Sequence, residues 1–225
     1  PAVIYCDTRT ADEVTRVKAL VERENLAPPG SWRVHSDTVG PMLLWFRQHQ
    51  PDLWAQTYKV VDACAYLVFR LTGQYVVADG NAQGFVPLYD PSTRNWNQRA
   101  CDVLEISPEL LPECRPSTQL AGEVTRQAAE ETGLAIGTPV TAGAPDNVAA
   151  SIGSGVVEPG DAGLEYATVI VLRVVTDALK SHRLFGFSPY VTPGSFQGIG
   201  GLTTAGALTR WFRNTFGQPE QEAEA

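Results

Sequence analysis

Asp146 stands alone among small residues in the stretch GTPVTAGAPDNVAASIGSG, residues 137–155. The run PVTAG leads straight into it, so the acid falls where a strand gives way to a helix. Two roles suit a carboxylate there. It can cap the helix that follows by accepting backbone N–H bonds. Alternatively, with Gly143, Ala144 and Ala149 letting a polar ligand approach the backbone, it can form part of a binding floor. Other reactive residues compete weakly. His35, His49 and His182 are scattered, with no i, i+4 pair and no Ser or Cys beside them in a recognisable motif. Cys6, Cys64, Cys101 and Cys114 show no CxxC and no zinc spacing, and read as free thiols of a cytoplasmic protein. No metal site is expected. GxxxxGK[ST], GxGxxG after a strand, and GxSxG are all absent.

The elements that must position Asp146 can be read in outline. AVIYC (2–6) is a short apolar strand, followed by Asp7 and Arg9. TADEVTRVKALVEREN carries Val14, Val17, Leu20 and Val21 on one helical face, with Thr10 and Glu13 spaced as a capping box. GPMLLWFRQHQ and PDLWAQT are two further helices, the second with Pro51 in its first turn. YKVVD is an extended connection or strand. DACAYLVFRLTG is a helix bounded by Asp62 and Gly73. A strand and a polar loop with Asp79 and Asn81 follow, then short helices, the strand LAGEV, the helix TRQAAEETG and the strand PVTAGA. Beyond Asp146, β-branched residues in 163–176 predict strands or a hairpin, and LFGFSPYVTP another strand. TTAGALTRWFRNTFG is an amphipathic helix with Ala205, Leu208, Trp211, Phe212 and Phe216 toward the core. Helices and strands interleave, so the class is α/β. The Gly/Pro-rich stretch 153–162 separates helix-rich from strand-rich sequence and marks a domain boundary.

Composition narrows the partners. The 225 residues are 44% apolar, enough for one sizeable domain or two small ones. A formal charge of −8 without a Lys/Arg run argues against nucleic acid. No apolar run approaches the roughly 18 residues of a membrane span, and no signal peptide is visible.

Six segments, in order, resemble the FGGY family of ATP-dependent carbohydrate kinases. IYCDTRT is similar to the family's strand ending in D-x-R, and GPMLLWFRQHQPDLW to its P-x-L-x-W segment. DACAYLVFRLTG is similar to its L-T-G helix, and VVADGNAQGFVPLYDPSTRNW to its loop ending in D and W. The segment from LPECRPST to VVEPG resembles the signature around the catalytic acid, and GGLTTAGALTRWFRN a later Gly-rich helix start. The resemblance covers nearly the whole chain. It implies a ribonuclease-H/actin-like two-domain sugar kinase fold, α/β in class. Residues 1–155 would be the remainder of an N-terminal sugar-binding domain and 156–225 the start of a nucleotide-binding one. The family's first hairpin would precede Pro1 and most of its adenosine pocket would follow Ala225, so the expected fold is incomplete at both ends.

The resemblance also implies roles. Asp146 falls on the catalytic base, which takes the proton of a sugar hydroxyl attacking ATP. Asn147 falls on a sugar-binding amide, and Asp7 and Arg9 lie close to the sugar, as contacts or as a structural ion pair. Thr168 falls on a phosphate-binding turn and Gly206 on the start of a phosphate-facing helix, with ATP and Mg2+ as cofactors. Ala167 and Val169 depart from the family's Gly and Ser/Thr in that turn, which puts its phosphate contact in doubt. The Asp-Asn pair and LLWFRQHQP look most like the xylulokinase-like branch, so a pentulose such as xylulose is favoured. Ribulose, glycerol or another polyol, or a non-catalytic sugar-binding member, is the alternative. The expected partner is a small sugar, with no nucleic acid and no membrane; a homodimer is left open. Trp32, Trp45, Trp54, Trp96 and Trp211 read as packing residues rather than sugar platforms.

Overall fold

A computed structural model describes residues 3, 7–27, 33–167, 169–182, 184–202 and 204–217. The strand expected over 2–6 therefore lies almost wholly outside the described residues, as does Trp32.

Helix α1 (Ala11–Glu24) forms where the 3.6-residue pattern predicts, and buries Val17 completely. Its capping box does not form. Thr10 turns its hydroxyl to the carbonyl of Ser36 (3.2 Å), and Glu13 is buried without reaching back to the cap. A tertiary acceptor has displaced the local one. Helix α2 (Val39–His49) adds Leu43 and Leu44 to the same core, and α3 (Pro51–Ala55) starts at a proline whose missing N–H would be unpaired anyway. Residues 58–62 stay extended but pair in no strand; Val60 N–H donates to the Leu110 carbonyl (2.8 Å).

Helix α4 (Ala63–Thr72) begins and ends as its sequence dictates. Asp62 accepts from Ala65 N–H (2.7 Å), and Gly73 takes the left-handed position at φ 75°. Strand β1 (Val76–Ala78) follows, then the single turn α5 (Asp79–Ala82), the hairpin β2 (Tyr89–Asp90) and β3 (Asn95–Trp96), and α6 (Gln98–Leu104). Strand β4 (Glu113–Arg115) runs parallel to β1. Strand β5 (Leu120–Glu123) and β6 (Pro139–Thr141) form an antiparallel pair around α7 (Arg126–Thr132), which Thr125 caps and Gly133 ends. A small core of Val68, Val76, Ala78, Ala121 and Ala142 joins α4 to these strands, directly under the run into α8 (Asp146–Gly153).

The β-branched run is a hairpin, β7 (Ala162–Tyr166) and β8 (Ile170–Thr176). It belongs to a four-stranded antiparallel sheet in the order β7-β8-β10-β9, completed by β9 (Gly186–Pro189) and β10 (Phe196–Leu202). β10 has no β-propensity pattern, because its glycines make room for rings. A Cβ at Gly198 would meet the Phe187 ring at 2.8 Å, and one at Gly200 the Phe185 ring at 3.0 Å. The last element, α9 (Gly206–Phe216), is helical as expected, but its apolar face is not in a core. Ala205 is buried, whereas Leu208, Trp211, Phe212 and Phe216 are more than half exposed. No described element packs over that face, so the periodicity located the stripe without supplying its cover. Trp96 does pack inward, its Nε1–H donating to the Pro112 carbonyl (2.8 Å).

Candidate functional site

The approach to Asp146 is fixed from beneath. Ala142 N–H donates to the Gln119 carbonyl (2.9 Å) and Gly143 N–H to that of Ser117 (3.1 Å). Gly143 has φ 89°, and a Cβ there would stand 2.8 Å from Cys64 Sγ. Only glycine fits both the backbone angle and the space. Pro145 precedes the helix and Asp146 is its first residue. This position differs from an N-cap: the carboxylate accepts only from its neighbour, Asn147 N–H to Oδ1 at 2.7 Å. Oδ2 has no hydrogen-bond partner among the described residues, and both Asp146 and Asn147 are exposed. A carboxylate held by one oxygen at a helix N-terminus leaves the other free to accept a hydrogen bond.

Strand β7 links this helix to a second feature. Glu165 lies 3.3 Å from the Ser151 hydroxyl of α8. The next residue, Tyr166, lines two shallow, open depressions of about 270 and 420 Å³ that share Tyr166, Gly206 and Arg210. The turn after β7 is tied to the start of α9, since Gly206 N–H donates to the Ala167 carbonyl (2.9 Å) and the Tyr166 hydroxyl meets Thr209 Oγ1 (2.7 Å). Thr168 itself lies outside the described residues, but its neighbour Ala167 and Gly206 are brought together. No side chain caps α9. Arg210, one turn in from Gly206, and Arg213 line the smaller depression, and these were missed in the sequence. Their signal was present: two cations spaced i, i+3 behind a glycine helix start in an acidic chain.

Asp7 and Arg9 satisfy each other. Arg9 Nε donates to both Asp7 oxygens (2.9 and 2.8 Å), its backbone N–H adds a third bond at 3.0 Å, and its guanidinium lies 4.8 Å from the Trp45 ring centroid. This contact with Arg9 holds the Asp7 carboxyl below the usual range. No hydrogen bond among the described residues ties the pair to α8 or α9.

A buried polar seam joins the helical part to the four-stranded sheet. Asp79 is 1% exposed; Oδ2 accepts from Arg94 Nη1 (3.1 Å) and Oδ1 from Gly80 N–H (2.9 Å). Arg94, at a left-handed φ of 54°, also donates to the Ser195 carbonyl (3.2 Å) and stacks on Phe196. Gln83 Nε2 donates to the Phe187 carbonyl. Burial pushes the Asp79 carboxyl above its ordinary 3.8, outweighing the pull of Arg94. The sign follows. Below 3.8 the group is protonated folded or unfolded; above it the folded state keeps its proton longer, so stability falls as pH rises through that window. Asp79→Asn removes this dependence. Measured by urea unfolding, the variant should gain on wild type as pH rises above the ordinary carboxylate value of 3.8, and a loss on that side would contradict the assignment.

Residues 1–153 match the model for the FGGY family of carbohydrate kinases, N-terminal domain. An autoinducer-2 kinase of Escherichia coli is 32% identical over 219 residues, covering 93% of this chain and 40% of the relative. The crystal structure of xylulose kinase from Rhodospirillum rubrum superposes with a TM-score of 0.90 at 26% identity, over 97% of this chain and 45% of that one. Plasmodium falciparum glycerol kinase with ADP shares the fold at a TM-score of 0.83 and 19% identity, over 98% and 46%. The chain thus spans about 40% of the length of the curated relatives it matches. Its fold is the actin-like one of these kinases. No helix of the described residues is long and apolar enough to cross a membrane.

Proposed function

Since the chain belongs to the FGGY family of carbohydrate kinases, we propose that the protein it represents transfers the γ-phosphoryl group of ATP to a hydroxyl of a small sugar, with Asp146 as general base. The observation that carries this reading is the open Oδ2 of Asp146 at the first residue of α8, after a loop in which Gly143 packs closely against Cys64. Asn147, exposed beside it, would donate to a second hydroxyl of the same sugar. Asp7 and Arg9 then act as a mutually neutralised pair that shapes the sugar side rather than as free ligands.

The open depression at the start of α9 suits a polyphosphate. It combines an uncapped helix start with Arg210 and Arg213, and both the dipole and the guanidinium groups favour anions. Bound MgATP supplies the phosphoryl group to be transferred. Mg2+ would enter with the phosphates it bridges, as it usually does at nucleotide sites. A valine stands at 169 where the family has a hydroxyl, so the phosphate contact is assigned to Arg210, which lines the same depression as Gly206. Arg210→Ala should raise KM for MgATP by about tenfold to a hundredfold with a smaller change in kcat, the scale of a lost charge-assisted hydrogen bond. An unchanged KM would remove Arg210 from the site.

Residues 1–155 would carry the sugar side and 156–225 open the nucleotide side. For the sugar, the Asp-Asn pair favours a pentulose such as xylulose, and the likeness to the Rhodospirillum rubrum enzyme supports it. A signalling sugar is the second reading, favoured by the 32% identity to proteins named autoinducer-2 kinase. The test is ADP release by the full-length protein with MgATP and D-xylulose, D-ribulose, glycerol or autoinducer-2. Turnover with one of them identifies the acceptor. A folded protein that turns over none, and whose melting temperature MgADP does not raise, is a non-catalytic member of the fold.

A further inference from the structure

Arg173 is the largest fully buried side chain of the described residues, 1% exposed in the middle of β8. Its Nε donates to the Ser151 hydroxyl of α8 (2.8 Å) and its Nη1 to Gln197 Oε1 of β10. Gln197 Nε2 donates onward to the Ser188 hydroxyl of β9 (2.8 Å). On the other side, Ser151 Oγ lies 2.9 Å from the carbonyl of Asn147 and donates to it, reaching the residue next to Asp146. One guanidinium therefore connects the first turn of α8 to three strands of the sheet.

This is a poor device for stability. The nearest carboxylate, Glu165, is 3.9 Å from Nη2, and Nη2 is buried without a hydrogen-bond partner. A buried cation so weakly compensated costs more than an apolar side chain of similar length. Such a side chain would suit the place, because Val175, on the same face of β8, already packs with Val148 and Val156. Apolar contacts would bury the helix but not fix it, since they are non-directional. Hydrogen bonds from a planar fork fix both its rotation and its axial setting.

We propose that Arg173 is a positioning residue, locking α8 onto β8 and β10 through Ser151 and Gln197 and so setting the direction in which Asp146 leaves the first turn. The proposal rests on the reading of Asp146 as the base, and its test separates the two. Full-length wild type, Arg173→Met, Arg173→Lys and Ser151→Ala are compared by amide hydrogen exchange and by steady-state kinetics. Arg173→Met removes the buried charge but leaves Gln197 short of a donor, so the two costs oppose and it should melt close to wild type, exchange its α8 amides about tenfold faster, and leave α1 and α4 unchanged. Its kcat should fall about tenfold to a hundredfold with KM for the sugar within about twofold, as expected when a catalytic group is slightly misplaced. Arg173→Lys should recover part of both effects, and Ser151→Ala should shift both in the same direction as Arg173→Met. Unchanged α8 exchange overturns the proposal, as does faster exchange with unchanged kcat, which would make Arg173 structural only. If Arg173→Met does not fold, Ser151→Ala decides by the same two criteria. If wild type turns over no sugar, the kinase reading falls and exchange alone decides whether Arg173 fixes α8.

Discussion

Asp146→Asn in the full-length protein should lower kcat by about 10²–10⁴ while changing KM for either substrate little, the usual contribution of a positioned base. Asparagine keeps the size of the side chain and an oxygen to accept from Asn147 N–H, the one hydrogen bond the Asp146 side chain makes among the described residues. It cannot take up a hydroxyl proton. The structural cost should be small. Asp146 is exposed, and what is lost is a carboxylate at the helix N-terminus, about 0.3–1 kcal/mol. Steady-state rates beside a thermal melt therefore separate chemistry from folding. A collapse of kcat at nearly unchanged melting temperature is the expected result. Wild-type turnover in the variant would show that Asp146 merely starts the helix, as any first-turn acid does.

The place of Asp146 was legible, because PVTAG ending at a lone acid predicts a strand giving way to a helix, and α8 does start at Asp146; its role as a base came from the family resemblance. Helices α4 and α7 were legible to the residue at their caps, since Asp62, Thr125, Gly73 and Gly133 act through bonds made within the same few residues. What failed was whatever distant groups decide. Thr10 abandons its capping box for a carbonyl 26 residues away. β10 hides behind glycines whose purpose is the two rings of a neighbouring stretch, Phe185 and Phe187. The apolar stripe of α9 was found, but a stripe says nothing about what covers it, and Trp211 stands exposed. Arg173 lay in plain view as the one charge in IVLRVVT, yet alternation alone cannot say whether such a charge points to solvent or to a serine on another helix. The structure supplied the partners; the sequence had supplied the local geometry and the acid.

The same separation of local and distant causes gives the second large effect, at Gly143. Two constraints act on it independently. Its φ of 89° is a conformation that L-residues rarely adopt, and a Cβ would approach Cys64 Sγ to 2.8 Å. Gly143→Ala should therefore cost about 1–3 kcal/mol of stability from backbone strain alone, read by denaturant unfolding. The contact adds to this unless the α4 side chain moves. Relief has one cheap direction, outward along the loop, because Ala142 and Gly143 are bonded to the carbonyls of Gln119 and Ser117. That shift reaches Asp146 three residues later, so kcat should fall by up to about 10², the scale of an ångström-sized misplacement. Adding Cys64→Ala removes the sulfur but leaves the backbone angle, so the double variant should recover only part of the loss. Recovery to wild type would assign the whole effect to the contact. A Gly143→Ala protein with wild-type stability and rate would mean that the loop is not rigid, and that the aim of Asp146 is set elsewhere, by α8 itself.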